Sequence, residues 1–261
     1  MLLDRYDALL LDLDGTVYRG REVVPRAVEA VAAARERGVG IRFVTNNASR
    51  SPSDVAGHLV ELGFGAALEE VSTSAQAGAA MLIDLVPPGT RVLVLGTAAL
   101  AEEVRSRGFE PVERADGAGA VVQGLSQELG WRELAEACVA VRAGAWWIAC
   151  NVDATLPTER GLLPGNGALV AALRTATGVE PLVAGKPATP LLEQAAKSLG
   201  ALRPLVVGDR LDTDIAGAVN AGMDSLLVLT GVSTEEEALG LPDGQRPTHI
   251  AADLSILHRL P

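Results

Sequence analysis

Short apolar runs alternate with amphipathic helical patterns along most of the chain, and this alternation restricts the fold more than any other feature. An apolar run at 8–13 precedes a helical pattern over 25–38, and a second apolar run over 39–46 follows that helix. Strands separated by single helices usually pair in parallel through right-handed crossovers. The sequence therefore predicts an α/β fold built on a doubly wound parallel sheet.

The alternation has two parts. After the first strands it resumes near the end of the chain, with strands predicted at 181–185, 203–209 and 225–231 and helices at 189–199 and 213–221. The middle carries its own pattern, with strands predicted at 91–96, 119–124 and 145–151 and helices at 98–107, 131–143 and 168–176. We predict a first unit formed by 1–79 and 184–261 and a second α/β unit, 80–183, inserted into it.

Composition excludes several classes of partner. The chain has 261 residues, 48% hydrophobic and 3% aromatic, which fits a packed α/β protein. Its net charge of −11 argues against nucleic acid or an acidic membrane surface as a partner. Cys138 and Cys150 lie in apolar surroundings without a metal-binding spacing, and the first residues resemble neither a signal peptide nor a membrane span. We therefore expect a cytoplasmic protein.

Polar side chains follow the apolar runs at four places, where ligands bind in an open parallel sheet. These are Asp12 and Asp14 in DLDGTV, Thr45, Asn46 and Asn47 in VTNN, Lys186 in AGKP, and Asp209, Asp212 and Asp214 in GDRLDTD. Each stretch alone has an ordinary explanation as a turn or a helix start. Together they supply acids for a cation and polar donors for an anion.

Oxygen ligands of this kind suit Mg²⁺, which Asp12, the backbone carbonyl of Asp14 and Asp209 could hold. Asp12 could then attack phosphorus and form an acyl-phosphate. Asp14 could protonate the leaving oxygen and later activate water. The pattern therefore predicts phosphoryl transfer with Asp12 and Asp14 as the catalytic pair.

The remaining polar residues suit the phosphoryl oxygens. Thr45, Asn46, Asn47 and Lys186 supply donors and a positive charge, which carry most of the rate in phosphoryl transfer. Gly15 has no side chain, so a phosphate could approach the backbone closely. We predict these five residues as the phosphate-binding set.

The four motifs resemble, in order and spacing, those of the haloacid dehalogenase (HAD) superfamily of phosphotransferases across essentially the whole chain. The resemblance implies a Rossmann-like core, Mg²⁺ as cofactor, Asp12 as nucleophile and Asp14 as acid/base. It also assigns Asp209 to the metal, and it places Asp214 behind the metal ligands, outside direct coordination.

The insertion lies between the second and third motifs, which resembles the C2-capped, NagD-like branch of that superfamily. Residues 150–169 are similar to the cap loop of the branch, which implies Asn151, Asp153 and Asn166 as substrate-loop residues; a purely architectural role for the loop is equally open. The chain also resembles actinobacterial glycerol 3-phosphate phosphatases, which implies that substrate and a homodimer formed through the cap.

Several alternatives stay open. The substrate could be phosphoglycolate, a nucleotide or a sugar phosphate, and a phosphomutase would use the same aspartate. A dehalogenase has no need of Asp14, and neither does a regulator that only binds a metabolite, so both are disfavoured. His58, His249 and His258 lie away from the motifs, and we expect them to be ordinary surface or core residues.

Overall fold

The structure, a computed structural model, describes residues 2–158 and 160–258. The chain divides into two compact units, and each is described by itself. Unit 1 comprises residues 2–45, 52–72 and 186–258 of the described part, and unit 2 comprises 46–51 and 73–185 without residue 159. No helix in the described ranges is both long enough and apolar enough to cross a membrane.

The strands and helices alternate along the chain. The strands are β1 (Ala8–Leu11), β2 (Tyr18–Arg19), β3 (Glu22–Val23), β4 (Gly40–Thr45), β5 (Val71–Thr73), β6 (Arg91–Leu95), β7 (Glu110–Val112), β8 (Ala120–Gln123), β9 (Trp146–Ala149), β10 (Thr155–Thr158), β11 (Gly161–Pro164), β12 (Leu182–Val183), β13 (Pro204–Gly208), β14 (Asp224–Val228) and β15 (His249–Ala251). The α-helices are α1 (Ala27–Glu36), α2 (Pro52–Glu61), α3 (Ser74–Leu85), α4 (Ala98–Ser106), α5 (Trp131–Arg142), α6 (Asn166–Thr177), α7 (Pro190–Leu199), α8 (Ala216–Asn220) and α9 (Glu235–Gly240).

Unit 1 is organised around a six-stranded sheet with the strand order β15-β14-β13-β1-β4-β5. The central strand β1 pairs in parallel with both β13 and β4. All four of its residues are fully buried, as expected for a parallel strand covered on both faces. The apolar run at the start of the chain is therefore the centre of the unit 1 core.

Unit 2 has a sheet of its own, five strands in the order β12-β9-β8-β6-β7, together with the antiparallel hairpin β10–β11. The pairings within the five-stranded sheet are parallel. The two parallel sheets confirm the predicted α/β fold class.

Three local features of unit 2 differ from the sequence prediction. The strand predicted at 181–185 does not continue the first unit, because β12 pairs with β9 in unit 2. The stretch read as a loop contains the hairpin β10–β11, and β7 was not predicted. Such short or exposed strands carry little apolar periodicity, so their partners are set by the tertiary fold.

The structure also draws the border of the units at different residues from the predicted 79/80 and 183/184. Apart from the short segment 46–51, which also belongs to unit 2, the chain passes from unit 1 to unit 2 after residue 72 and returns after residue 185. Thr73 caps α3: its hydroxyl accepts a hydrogen bond from the amide of Gln76, whose side chain accepts one from the Thr73 amide. This capping box holds Thr73 and α3 together, so α3 enters unit 2 as a whole.

Candidate active site

The ends of β1 and β13 bring two acidic residues to one edge of the unit 1 sheet. Asp12 directly follows β1, and Asp209 directly follows β13. The two strands are parallel neighbours with Leu11 opposite Val207, and the Asp12 amide donates to the Val207 carbonyl at 2.8 Å. Both carboxylates therefore leave the sheet at the same edge, as the motif positions predict.

A buried ammonium connects this edge to neighbouring elements. Lys186 Nζ lies 2.5 Å from Oδ1 of Asp12 and 2.7 Å from Oδ1 of Asp214. It also lies 3.4 Å from the carbonyl oxygen of Val44, near the end of β4. The Lys186 side chain is only 3% exposed, so its charge is held in place by these oxygens rather than by bulk water.

Three carboxylates surround that single cation. Asp12, Asp209 and Asp214 each offer an oxygen, and these oxygens lie within 4.8 Å of one another. Oδ1 of Asp209 is buried and has no hydrogen-bond partner among the described residues. A buried carboxylate oxygen without a partner is costly, and this cluster keeps an excess of negative charge. The residues present therefore fit a hard divalent cation such as Mg²⁺.

The pKa values of Asp12, Asp209 and Lys186 reflect the same excess of buried negative charge. Burial raises the pKa of Asp12, the Asp214 carboxylate adds to the rise, and the Lys186 ammonium opposes it. Burial also raises the pKa of Asp209 to about 6, again with a contribution from Asp214. Burial by itself lowers the pKa of Lys186, but the Asp12 and Asp214 carboxylates outweigh it and raise that pKa. A bound cation would favour the ionised carboxylates.

Asp14 has different surroundings. It is exposed, and its carboxylate is not part of the three-carboxylate cluster. Partial desolvation by neighbouring atoms raises the pKa of Asp14, against the polar backbone of Gly20 and Gly15 and the nearby charge of Arg19. The two acids of the first motif are therefore held by separate sets of groups, which suits two different roles.

Gly15 lies close to the Asp209 carboxylate. Its φ is 89°, and a Cβ built there would lie 2.5 Å from Oδ2 of Asp209. That oxygen accepts a hydrogen bond from the Val232 amide at 2.8 Å, and the Thr230 hydroxyl donates to the Gly15 carbonyl at 2.7 Å. Gly15 is thus required by its backbone conformation and by its packing on Asp209, in addition to the predicted approach of phosphate.

The second motif is divided between the units. Thr45 ends β4 and is buried in unit 1, whereas Asn46 and Asn47 belong to unit 2. Oδ1 of Asn47 accepts hydrogen bonds from the amide and the hydroxyl of Ser49, both at 2.8 Å. The Asn46 side chain donates to the Asp153 carboxylate at 3.3 Å. Both Asn side chains therefore make contacts inside unit 2, and their role in phosphate binding stays a prediction.

Two of the three predicted substrate-loop residues, Asn151 and Asn166, are buried, whereas Asp153 is partly exposed. Asn151 is 5% exposed and Asn166 is 1% exposed. Asn151 Nδ2 donates to the carbonyl of Asn46, and Asn166 Nδ2 donates to the carbonyl of Asn151, both at 2.7 Å. Oδ1 of Asn151 accepts from the Asp153 amide at 3.2 Å. These contacts fit the architectural role, and direct contact with substrate stays a prediction.

Trp147 and Gln123 form a buried polar pair next to Asn166. Trp147 is 2% exposed, and its indole N–H donates to Oε1 of Gln123 at 3.1 Å. The Gln123 carbonyl accepts a longer hydrogen bond, 3.4 Å, from Asn166 Nδ2. Trp147 is therefore a core residue of unit 2.

The fourth motif contains two acids with different surroundings. Asp214 is fully buried, and its Oδ2 accepts a hydrogen bond from the Arg210 amide at 3.1 Å. Asp212 is exposed and accepts two hydrogen bonds from the Arg210 guanidinium, at 3.0 and 2.7 Å. Only Asp214 joins the buried cluster, where it contacts Lys186.

One histidine lies closer to the first motif than the sequence indicates. Nε2 of His58 lies 3.2 Å from the carbonyl oxygen of Gly20, and its ring packs edge-on against Tyr18 with centroids 5.0 Å apart. On the other side of the same hairpin, the Arg19 guanidinium donates to the Thr230 carbonyl. His58 is 38 positions from Gly20 in sequence, and no local pattern links the two.

The arrangement combines a carboxylate at the end of β1, a fixed ammonium, a carboxylate cluster that fits a cation, and a separately held second acid. Carboxylates can attack phosphorus, and fixed positive charge stabilises the phosphoryl oxygens as they transfer. A separate acid can deliver the proton that the leaving oxygen needs. The geometry of unit 1 is therefore suited to phosphoryl transfer.

Comparison with known proteins agrees with this chemistry. The chain is 55% identical over 259 residues to D-glycerol 3-phosphate phosphatase of Mycobacterium tuberculosis, covering 99% of this chain and 72% of the relative. It is 40% identical to the 5'-nucleotidase YutF of Bacillus subtilis, covering 96% of each. The structure of glycerol phosphate phosphatase from M. tuberculosis in complex with magnesium matches 99% of this chain and 78% of its own, with a TM-score of 0.94 and 55% identity.

Family models cover most of the chain. The haloacid dehalogenase-like hydrolase model matches residues 9–110, and a HAD-hydrolase-like model matches residues 183–257. The first match contains Asp12, Asp14 and Thr45, and the second contains Lys186 and Asp209. The chain therefore belongs to the haloacid dehalogenase-like hydrolases.

Proposed function

We propose that this chain is a Mg²⁺-dependent phosphomonoester hydrolase that forms an aspartyl-phosphate on Asp12, with glycerol 3-phosphate as its substrate. The observation that carries the proposal is the buried Lys186 ammonium, 2.5 Å from the Asp12 carboxylate at the end of β1. A phosphoryl group brought to Asp12 would meet a nucleophile and a fixed positive charge together.

In the first step, a carboxylate oxygen of Asp12 forms a bond to phosphorus while the bond from phosphorus to the ester oxygen breaks. Asp14, in its acid form, gives its proton to that ester oxygen, so the alcohol leaves as a neutral molecule. Partial desolvation raises the pKa of Asp14, which is the direction that favours a proton on this carboxyl group. The products of this step are the free alcohol and the Asp12 acyl-phosphate.

In the second step, a water oxygen forms a bond to phosphorus and the bond to the Asp12 oxygen breaks. The Asp14 carboxylate, left by the first step, accepts a proton from that water. Inorganic phosphate is released, Asp12 is restored as a carboxylate, and Asp14 is again an acid. The separate surroundings of the two acids support this division of roles.

Asp12, Asp209 and the backbone carbonyl of Asp14 are the groups we propose to hold Mg²⁺. When bound, the ion supplies positive charge for the phosphoryl oxygens and for the crowded carboxylates. The unpaired buried oxygen of Asp209 supports this assignment. The contact between Asp214 and Lys186, at 2.7 Å, supports a role for Asp214 in orienting the lysine rather than in coordination.

Three groups are proposed for the phosphoryl oxygens: the hydroxyl of Thr45, the ammonium of Lys186 and the backbone of the loop at Gly15. Thr45 is the last residue of β4, and Lys186 also contacts the Val44 carbonyl at the end of that strand. Fixed donors of this kind stabilise transferring phosphoryl groups without reorganisation. Asn46 and Asn47 complete the predicted set.

The choice of substrate is supported by the 55% identity to D-glycerol 3-phosphate phosphatase over nearly the whole chain. A nucleotide is the second candidate, because a 40% identical relative is named a 5'-nucleotidase. The substrate loop that holds Asn151, Asp153 and Asn166 is the proposed place of discrimination.

A phosphate-release assay over a panel of phosphomonoesters, with Mg²⁺ or with EDTA, tests the proposal. The panel contains glycerol 3-phosphate, phosphoglycolate, a nucleoside monophosphate and a sugar phosphate. We expect the highest kcat/KM for glycerol 3-phosphate and loss of turnover in EDTA. Tight binding without turnover would favour a regulator, and transfer to a second sugar hydroxyl would favour a phosphomutase.

We also propose that unit 2 acts as the C2 cap and that two chains associate through it. We further propose that the enzyme works in the cytoplasm. The free thiols of Cys138 and Cys150 support a reducing compartment. The net charge of −11 supports a small-molecule substrate and not nucleic acid as partner. Light scattering on the full chain measures whether it forms a dimer. A monomer at the concentration used in the activity assay would overturn the proposed dimer.

A further inference from the structure

We propose that His58 is a positioning residue for proton transfer by Asp14 and acts through the hairpin of β2 and β3. The inference rests on the proposed phosphatase function, because it concerns the acid of that reaction. Nε2 of His58 lies 3.2 Å from the Gly20 carbonyl, and its ring packs on Tyr18, which forms a β-bridge with Asp14. The first strand of the hairpin thus links the imidazole to the backbone of the acid, and the Gly15 amide donates to the Tyr18 carbonyl at 2.7 Å.

The hairpin needs support from outside itself. It consists of two paired positions, Tyr18 opposite Val23 and Arg19 opposite Glu22. Gly20 follows β2 in the two-residue turn with a φ of 59°. Isolated two-stranded hairpins are marginal in water even when they are longer. The position of Tyr18, which bridges to the Asp14 backbone, therefore depends on what anchors the hairpin.

His58 anchors the turn end through two contacts. It lies on α2, and its ring packs edge-on against the Tyr18 ring at 5.0 Å between centroids. A carbonyl oxygen only accepts hydrogen bonds, so the contact with Gly20 requires a proton on Nε2 of His58. The side chain is 19% exposed, so neighbouring atoms confine the imidazole. The remaining ring nitrogen lies 3.9 Å from the carboxylate of the exposed Glu61.

A second set of contacts holds the β2–β3 hairpin, so a variant of His58 can lose its effect on Asp14 while the chain still folds. The Arg19 guanidinium donates to the Thr230 carbonyl, and the Thr230 hydroxyl donates to the Gly15 carbonyl. Without the imidazole, the hairpin would keep this anchor but lose the contact at Gly20. We expect the Asp14 carboxyl to be less well oriented in a chain that still folds.

Two substrates with different leaving groups distinguish impaired proton transfer by Asp14 from a general loss of activity. The alkoxide of glycerol 3-phosphate needs the proton from Asp14 as the phosphorus–oxygen bond breaks. p-Nitrophenolate is a stable anion and leaves without that proton. kcat/KM covers the steps up to departure of the leaving group, so it reports the acid role of Asp14 and not its later role as base.

The experiment compares kcat/KM for glycerol 3-phosphate and p-nitrophenyl phosphate, at one Mg²⁺ concentration, in the wild type and in variants of His58. We expect His58→Leu to lower the value for glycerol 3-phosphate about 10-fold and the value for p-nitrophenyl phosphate less than about 2-fold. His58→Gln offers an amide donor near the place of Nε2 and should return the first value to within about 3-fold of wild type. Glu61→Gln is the matched control and should change neither value.

Equal losses on both substrates, or no loss on glycerol 3-phosphate, would overturn the role of His58 while leaving the proposed function intact. If His58→Leu unfolds at a much lower temperature than the wild type, His58→Asn takes its place, since its amide is too short to reach Gly20. A wild-type chain that releases phosphate from neither ester overturns the proposed function and this inference with it.

Discussion

The two units bury polar groups of different kinds. Among the described residues, every buried charged side chain belongs to unit 1, including Lys186, Asp209 and Asp214. The buried amide side chains of unit 2 are neutral: Gln123, Asn151 and Asn166. Neutral amides can be satisfied by backbone groups at modest cost, whereas buried charges carry a large desolvation penalty. Unit 1 carries most of that penalty, in Lys186, Asp209 and Asp214, at the edge of the sheet where we propose that the reaction occurs.

The sharpest test of this contrast is the proposed nucleophile, Asp12. Asp12→Asn should lower kcat by at least about three orders of magnitude, because the amide cannot form the acyl-phosphate. The melting temperature should stay the same or rise, since one of three crowded carboxylates is removed. Steady-state phosphate release and thermal unfolding measure the two effects. Normal turnover in this variant would refute the proposed mechanism.

A second test compares two acids of the same motif. Asp214→Asn removes the carboxylate 2.7 Å from Lys186 and should lower kcat/KM about 10- to 100-fold by releasing the lysine from its position. Asp212→Asn is the matched control, because Asp212 is exposed and pairs only with Arg210 among the described side chains. Equal losses in the two variants would contradict the special role of the buried pair.

The neutral amides of unit 2 should affect stability rather than chemistry. Asn166→Ala removes the 2.7 Å hydrogen bond to the Asn151 carbonyl and leaves that acceptor buried. We expect a loss of about 1–3 kcal/mol in the free energy of unfolding, measured with denaturant. Thr175→Ala, on the exposed face of the same helix α6, should change it by less than about 0.5 kcal/mol. A large loss of kcat with little change in the free energy of unfolding would show that Asn166 also contacts the substrate.

The smallest expected effect concerns pH. The folded pKa of Asp209 is raised from 3.8 to about 6 by burial, so the folded chain keeps a proton that the unfolded chain has released between these values. In metal-free protein this group therefore lowers stability as pH rises through that window. Mg²⁺ should raise the melting temperature by several degrees more at about pH 8 than at about pH 5, because it binds the ionised carboxylates. Asp209→Asn should abolish the difference, and an equal rise at both pH values would count against this site.

Residues that end strands could be predicted from the sequence, whereas long-range contacts could not. Asp12 and Asp209 follow apolar runs, and parallel topology alone brings such residues to one edge. The contact of Lys186 with Asp214 depends on the turn at 211–215, whose π-helical geometry has no signal in the apolar pattern. β12 is too short to show which sheet it joins.

His58 illustrates the same limit at the level of one side chain. The sequence treats it as an ordinary helix residue, because no motif surrounds it. Only the packing of α2 against the β2–β3 hairpin brings it to Gly20. Contacts of this kind are set by tertiary structure and not by periodicity, so a single sequence does not reveal them.

Trp147, buried in unit 2, is one of several aromatic residues whose positions allow unfolding of the two units to be followed separately. All three tryptophans of the chain, Trp131, Trp146 and Trp147, belong to unit 2, and both tyrosines, Tyr6 and Tyr18, belong to unit 1. Selective excitation of tryptophan therefore follows one unit, while the tyrosine bands of the second-derivative absorbance spectrum follow the other. Coincident curves from the two signals would establish cooperative unfolding of the whole chain, and separated curves would resolve two transitions without any added label.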